Sequence, residues 1–190
     1  MKVLTDEEWA AKRLKDREER RKNKKKKPPA MRKRAMVKQH RAFTRIVSQA
    51  VYGAAYPDPK GYDQYFETDP MAEELGREAR AALMASRFID PKHPEWDEVI
   101  RIPTKEEFKA WEDADKARAG VKTLKALYNG AGSVSLSLHD GAIAIKPWRY
   151  RGRGHWEGIR GQDDTILSED VSDEEFGQAI ISALEISRNA

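Results

Sequence analysis

Alternation of hydrophobic and polar residues along the chain predicts an α/β (α+β) domain built on a mostly antiparallel sheet. Residues 133–138 alternate serine with aliphatic side chains, which predicts a half-buried strand whose serines face outward. Asp140 and Gly141 tolerate positive φ and suit a two-residue hairpin turn, so residues 142–145 are expected to return as the paired strand. Other strands are predicted from β-branched and aromatic residues at positions 43–56, interrupted by Gly53, at 62–67 and at 165–167.

Three longer helices are predicted to pack on this sheet. Asp69 is expected to cap the first helix, with Pro70 as its first residue. The other two helices begin at capping-box sequences, residues 104–107 and residues 172–175, and a short helical piece follows at 121–128. Helical spacing turns the following side chains inward: Leu75, Ala79, Ala82 and Leu83 in the first helix, Phe108 and Trp111 in the second, and Phe176, Ala179, Ile180, Ala183 and Leu184 in the third.

The first and last of these helices resemble each other at a fixed offset. Gly76 and Gly177 stand 101 positions apart within similar sequences, and the same offset aligns two Ala-Leu pairs and two Ser-Arg pairs. A glycine inside a helix costs about 1 kcal/mol relative to alanine. Two glycines at equivalent helix positions therefore indicate that a helix backbone packs closely onto the sheet at each of them. The repeat predicts two related strand–helix halves that share one core, with Gly76, Gly177, Asp140 and Gly141 as structural residues.

Charge divides the chain into a basic arm and an acidic domain. Residues 1–41 carry 17 Lys/Arg against 6 Asp/Glu and are expected to form a flexible extension, largely disordered or helical. Three interpretations of this arm stay open: a solvated tail, an attachment to nucleic acid or ribosomes, and residues upstream of a translation start at Met31 or Met36. Residues 42–190 carry 19 Lys/Arg against 26 Asp/Glu, which favours a basic partner over nucleic acid as the ligand of the domain.

Residue types that carry catalysis or bind metals are absent or scattered. The sequence has no cysteine, which excludes disulfides, a thiolate nucleophile and cysteine-ligated zinc, and which fits a reducing cytoplasm. Its histidines, His40, His93, His139 and His155, lie far apart and show no metal-binding spacing. The sequence contains no run of about 18 apolar residues, so no membrane span is predicted. We therefore expect no catalytic residues, no cofactor and no metal, with a hydrolase of unrecognised site as the alternative.

Residues 148–156 are the most unusual local sequence, because arginine and glycine interleave there with aromatic residues. Arginines among aromatic rings suit single-stranded RNA, which binds through stacking and phosphate contacts. The same residue types are enriched in the hot spots of protein–protein interfaces. A third interpretation is that Trp148 and Trp156 only anchor a loop to the core.

Four segments carry a family resemblance: residues 74–88, residues 122–128, the strand pair around Asp140-Gly141, and residues 171–188. In this order and spacing they resemble the immunity proteins of bacterial contact-dependent growth inhibition (CDI) systems. The likeness covers residues 42–190 and leaves the basic arm outside. It implies a cytoplasmic antidote that binds the C-terminal toxin domain of a large surface protein, often a nuclease, and blocks its active site. The family pattern contains no catalytic residues.

Taken with the acidic charge, the resemblance predicts a partner-binding surface near the end of the chain. Carboxylates would face a basic groove of the toxin, and one or two aromatic anchors would slow its release. The candidate residues are Trp148, Tyr150, His155, Trp156, Glu157, Asp163, Asp164, Glu169 and Asp170. The alternative function is nucleic-acid binding through residues 1–41 and the segment 148–156.

Overall fold

A single β-sheet organises the domain. The computed structural model describes residues 29–67 and 69–190, so most of the predicted basic arm lies outside the described residues. Eight strands form in the described part: β1 (Lys33–Gln39), β2 (Thr44–Tyr52), β3 (Ala54–Pro57), β4 (Asp63–Phe66), β5 (Gly132–His139), β6 (Ala142–Gly152), β7 (His155–Gly158) and β8 (Thr165–Ser168). The helices there are α1 (Ala72–Ala85), α2 (Trp96–Val99), α3 (Lys105–Arg118), α4 (Leu124–Leu127) and α5 (Asp173–Asn189).

All pairings between the eight strands are antiparallel, and six of the strands follow the order β3-β2-β1-β5-β6-β7. β4 also pairs with β2, and β8 with β6, so two short strands share each outer position of the sheet. The predicted hairpin turn joins β5 to β6, with φ of 49° at Asp140 and 73° at Gly141. The predicted mostly antiparallel α/β fold is therefore confirmed.

The main core lies between α1, α5 and one face of the sheet, which we call the inner face. Alternation in β5 turns Val134, Leu136 and Leu138 toward it. Both helices bury the predicted apolar faces, except that Ala179 is only partly buried. Ser133 departs from the prediction that the β5 serines face solvent, since it is 1% exposed.

The two halves of the domain repeat one topology, as the internal repeat predicts. In each half a long strand pairs with the preceding strand on one side and with two short strands on the other, and a helix follows. β3 and β7 differ by 101 positions, the same offset as the helix glycines. Met36 pairs with Ser135 across the junction of the halves, which places a local twofold axis between β1 and β5. Helices α2, α3 and α4 are inserted between the halves.

Equivalent serines tie the end of each long helix to the sheet. Ser86 accepts a hydrogen bond from the Arg34 backbone N–H at 2.8 Å and donates to the Gln49 carbonyl at 2.6 Å. Ser187, 101 positions later, bridges the corresponding backbone groups of β5 and β6. Each hydroxyl thus pairs two backbone groups where a helix end meets the sheet.

Gly76 and Gly177 lie where α1 and α5 cross. A Cβ at Gly76 would stand 2.7 Å from the Asp173 carbonyl carbon, and a Cβ at Gly177 would stand 2.5 Å from that of Ala72. The prediction that these glycines allow close packing onto the sheet is wrong about the partner, since each glycine admits the other helix. Equivalent positions meet because the two helices are related by the local twofold axis.

The predicted boundary between arm and domain is wrong. Residues 33–39 form β1 in the middle of the sheet, with Ala35 and Val37 fully buried. This strand was not predicted from the sequence, because β1 has few buried residues and basic residues flank them. A strand pairing with both β2 and β5 needs only one apolar face, and the other face carries Lys38.

Two of the three predicted helix starts are confirmed. The Thr104 hydroxyl accepts from the Glu107 N–H, and the Ser172 hydroxyl caps α5 in the same manner. The start of the first helix is wrong, because α1 begins at Ala72. The Asp69 carboxylate instead accepts a hydrogen bond from the Gln39 side-chain amide at 2.6 Å, so it does not cap the helix.

Candidate partner-binding groove

A groove of about 550 Å³ lies between α3 and the outer face of the sheet, the face away from α1 and α5. Its floor is formed by outward side chains of the first half: Met36, Lys38, Arg45, Val47 and Gln49. The connection from β3 to β4 lines one side, and Gly154 of the β6–β7 turn contributes to the lining as well. The inserted helices therefore leave a concave, partly open surface above the outer face.

Helix α3 presents aromatic and acidic side chains to this groove. Phe108, Trp111, Glu112 and Asp115 recur at helical spacing, and all four line it. Phe108 and Trp111 are 47% and 36% exposed, with ring centroids 5.5 Å apart in an edge-on arrangement. The prediction that these two rings face the core is wrong. The remaining apolar residues of α3 are alanines, which leave too little aliphatic surface for a buried stripe.

Asp115 is the buried residue of α3, and it connects the helix to the sheet. Its carboxylate accepts from the Arg45 guanidinium at 3.3 Å and from the Tyr65 hydroxyl at 3.3 Å. Arg45 also pairs with Asp63 at 2.8 Å. Burial lowers the pKa of the Lys38 ammonium on the same floor, while the charge of Asp115 acts in the opposite direction. Charge pairs, with little apolar packing, therefore hold α3 over the sheet.

The groove rim is fixed by the start of α3. Arg101 and Glu107 form an ion pair at 2.6 Å, and Glu107 also accepts from the Thr104 backbone N–H. Hydrogen bonding from Arg101 lowers the pKa of Glu107 to about 2. Ile102, between these groups, is 83% exposed. A charged pair thus lines the groove at the start of α3, next to an exposed aliphatic residue.

A second core of aromatic rings lies against α4. Tyr128 contacts Tyr150 at a centroid distance of 4.9 Å and Trp156 at 5.7 Å. The Trp148 indole N–H donates to the Ser135 hydroxyl at 3.0 Å. Residues 148–156 are the β6–β7 hairpin, so the predicted loop is wrong. These contacts give its aromatic residues the anchoring role that was one of three interpretations, while their role in binding a partner stays a prediction.

His40 belongs to this aromatic cluster and is 4% exposed. Its Nδ1 lies 3.2 Å from the Leu127 carbonyl oxygen, so that nitrogen donates the hydrogen bond. The other ring nitrogen has no partner among the described residues. Burial lowers the pKa of His40, and the imidazole is therefore neutral near pH 7.

The predicted acidic residues differ in their surroundings, and their role in binding a partner stays a prediction. Glu157 pairs with Arg149 at 2.6 Å and with Arg151 at 3.3 Å, and Asp164 lies 3.7 Å from Lys146. The other predicted polar residues are exposed: His155, Asp163, Glu169 and Asp170. In the described part of the chain, none of the nine predicted partner-binding residues lines the groove.

The acidic excess of the folded unit is smaller than predicted. Met31–Ala190 forms a compact unit with 24 Lys/Arg and 26 Asp/Glu, a net charge of −2. Residues 31–41 account for the difference, because their five basic residues belong to the folded unit and not to the arm. Selectivity for a basic partner would therefore come from local clusters of carboxylates.

The described residues contain no group of three or more His, Cys, Asp or Glu side chains placed to hold a metal ion. Within the same residues, no helix has the length and apolar character needed to cross a bilayer. The concave surface beside α3 is the candidate functional site that the geometry offers.

A family model described as CdiI, CDI immunity protein, matches residues 33–187. The chain belongs to the CDI immunity protein family. The match begins at the first residue of β1, which agrees with the corrected domain boundary. The family resemblance noted in the sequence is confirmed.

Relatives of this family member agree in sequence and in structure. Immunity protein CdiI-YPIII from Yersinia pseudotuberculosis serotype O:3 (strain YPIII) is 29% identical over 163 residues, 79% of this chain and 92% of the relative. A solved protein of unknown function from Neisseria meningitidis is 29% identical, with a TM-score of 0.70, over 82% of this chain and 95% of that one. A chain of the CdiA-CT/CdiI toxin and immunity complex from Yersinia pseudotuberculosis is 27% identical, with a TM-score of 0.69, over 84% and 98%.

Proposed function

We propose that this CDI immunity protein protects its cell by binding one cognate toxin domain and blocking that toxin's active site. The family match over residues 33–187 carries the proposal, because it spans both halves of the sheet and both long helices. A fold neighbour solved as a toxin and immunity complex supports a toxin C-terminal domain as the partner. We place the protein in the cytoplasm, where a chain without cysteine needs no oxidising environment.

The groove beside α3 is the surface that we propose for toxin contact. Trp111 offers an exposed aromatic ring in a concave setting, and tryptophan is among the residues that dominate binding energy in protein interfaces. A stable interface buries about 800 Å² on each partner. We propose that the contact also includes Ile102, whose side chain is exposed and which lies between the groove-lining residues Arg101 and Pro103 in sequence.

We further propose that the toxin is a nuclease. Proteins that act on nucleic acid use lysine and arginine to neutralise phosphates, so their active sites are basic. A protein that covers such a site gains association rate and selectivity from carboxylates placed opposite those residues. Blocking the site by steric exclusion requires no catalytic group in the immunity protein.

Co-expression tests this function. The gene is expressed beside a candidate toxin domain sought in the adjacent upstream reading frame, and growth is compared with cells that express an unrelated CDI toxin. We expect rescue from the first toxin and none from the second, with the purified proteins eluting as one complex. Growth arrest despite soluble immunity protein, together with separate elution, would overturn the proposal.

The described residues give no independent support to nucleic-acid binding by the β6–β7 hairpin. Two of its arginines, Arg149 and Arg151, already pair with Glu157. Those cations are therefore less available to phosphates than the sequence suggested.

A further inference from the structure

We propose that the groove recognises a cationic side chain of the partner, with Trp111 stacking on it and Glu112 pairing with its charge. The inference rests on the proposed function, which supplies a protein partner, and adds the chemistry of the contact. It concerns the stripe of α3 formed by Phe108, Trp111, Glu112 and Asp115.

The charges lining the groove are unbalanced. Six carboxylates line it, Asp58, Asp63, Glu98, Glu107, Glu112 and Asp115, against three cations, Lys38, Arg45 and Arg101. Ion pairs within the described residues engage four of the carboxylates: Asp63 and Asp115 with Arg45, Glu107 with Arg101, and Asp58 with Arg87. In the same part of the chain, Glu98 and Glu112 form no ion pair. The groove therefore has acceptor capacity for at least one more cation.

Position selects Glu112 over Glu98 for this contact. Glu112 lies four residues from Phe108, so these two side chains are neighbours on one face of α3, and the adjacent Trp111 ring lines the same groove. Its Oε1 would be 2.9 Å from a Cβ added to Gly154, which places it against the β6–β7 turn. The carboxylate thus stands inside the groove between two walls.

Lys38 is the cation of this chain that competes for the same carboxylate. The charge of Glu112 counters the lowering of the Lys38 pKa by burial, but Asp115 contributes more. Lys38 also lies 6.0 Å from the Tyr128 ring centroid and forms no hydrogen bond with the described residues. Within the described residues, Lys38 therefore does not occupy the Glu112 carboxylate in an ion pair or hydrogen bond.

An exposed tryptophan beside a carboxylate is complementary to arginine or lysine. The face of an indole ring attracts cations more strongly than other aromatic rings do. Arginine is favoured among the cations, because its planar guanidinium can stack on the ring while its N–H groups donate to the carboxylate. A basic active-site residue of the toxin fits this description.

The test measures affinity for the toxin domain encoded upstream, with variants Glu112→Gln and Trp111→Leu. Glu106→Gln is the matched control, because Glu106 is an exposed carboxylate of the same helix that does not line the groove. Loss of a charge-assisted contact weakens binding by about tenfold to a hundredfold. We expect a loss of this size for Glu112→Gln and for Trp111→Leu, and no change for the control.

A charge swap identifies the partner residue. Each basic residue of the toxin surface is changed to glutamate and titrated with Glu112→Lys. One such pair should regain at least tenfold of the lost affinity, which identifies a direct contact. Wild-type affinity in Glu112→Gln would overturn the inference while leaving the proposed function intact. Absence of any complex with the unmodified chain would instead reject the proposed function.

Discussion

The crossing of α1 and α5 makes Gly177→Ala a strong test of the fold. The new methyl group would lie 2.5 Å from the carbonyl carbon of Ala72 and 3.0 Å from its Cα. Carbon atoms pack at about 3.5–4.0 Å, and the Ala72 carbonyl oxygen would lie closer still, so the helices would have to separate by at least about 1 Å. Backbone atoms cannot rotate away as a side chain would, and the separation would loosen the core beneath.

The magnitude follows from two opposed effects. Alanine favours the helical state over glycine by about 1 kcal/mol. Overpacking of a tight core costs about 1–3 kcal/mol and sometimes more, and backbone overlap places this site at the upper end. We expect a net loss of about 2 kcal/mol in the free energy of unfolding, measured by urea denaturation. Gly158→Ala is the control, because its Cβ would meet only the flexible end of Lys146 at 3.5 Å.

Combining the two helix glycines sharpens the test. Gly76→Ala alone should cost about as much as Gly177→Ala, because each methyl group meets the facing helix backbone. Once one methyl group has forced the helices apart, the second finds space, so the double variant should lose less than the sum. Additive losses, or a Gly177→Ala protein as stable as the parent, would refute the crossing geometry.

Three further predictions concern stability. His40→Phe should flatten the pH dependence of the free energy of unfolding below pH 6.5. In the parent protein only the unfolded chain protonates His40 freely there, so stability falls by up to about 1.4 kcal/mol for each unit by which the pH drops. Equal slopes of unfolding free energy against pH in urea titrations of both proteins would contradict this. Ser187→Ala should cost about 1–3 kcal/mol, because it leaves the Ser133 N–H and the Trp148 carbonyl without their partner. The urea midpoint of Ser187→Ala should lie well below that of Ser182→Ala, because the Ser182 hydroxyl hydrogen-bonds to a carbonyl of its own helix. A chain that starts at Met31 should keep the folded unit intact. A chain that starts at Met36 lacks part of β1, including the buried Ala35, so its midpoint of thermal unfolding should be several degrees lower.

Local patterns in the sequence were sufficient for most of the fold. Strict alternation in β5, the Asp140-Gly141 turn and the caps at Thr104 and Ser172 each depend on neighbouring residues only. The repeat of Gly76 at Gly177 also carried information about tertiary structure, because a costly glycine needs a packing reason. What the repeat could not show was which surface each glycine meets.

The groove depended on information that local patterns do not contain. β1 was missed because a strand with one short apolar face resembles a charged tail when lysine and arginine surround it. Phe108 and Trp111 were assigned to the core by spacing alone, whereas the scarcity of aliphatic residues in α3 argued for an exposed face. The contact between Arg45 and Asp115 joins residues 70 positions apart, and nothing local to either one predicts it.

Titration of toxin activity with the purified immunity protein tests the central claim most directly. The full chain is added stepwise to the toxin domain encoded upstream while substrate turnover and complex formation are followed together. Immunity by active-site blockade predicts that turnover falls linearly and reaches zero at one equivalent. A saturated complex that retains full toxin activity would contradict the account.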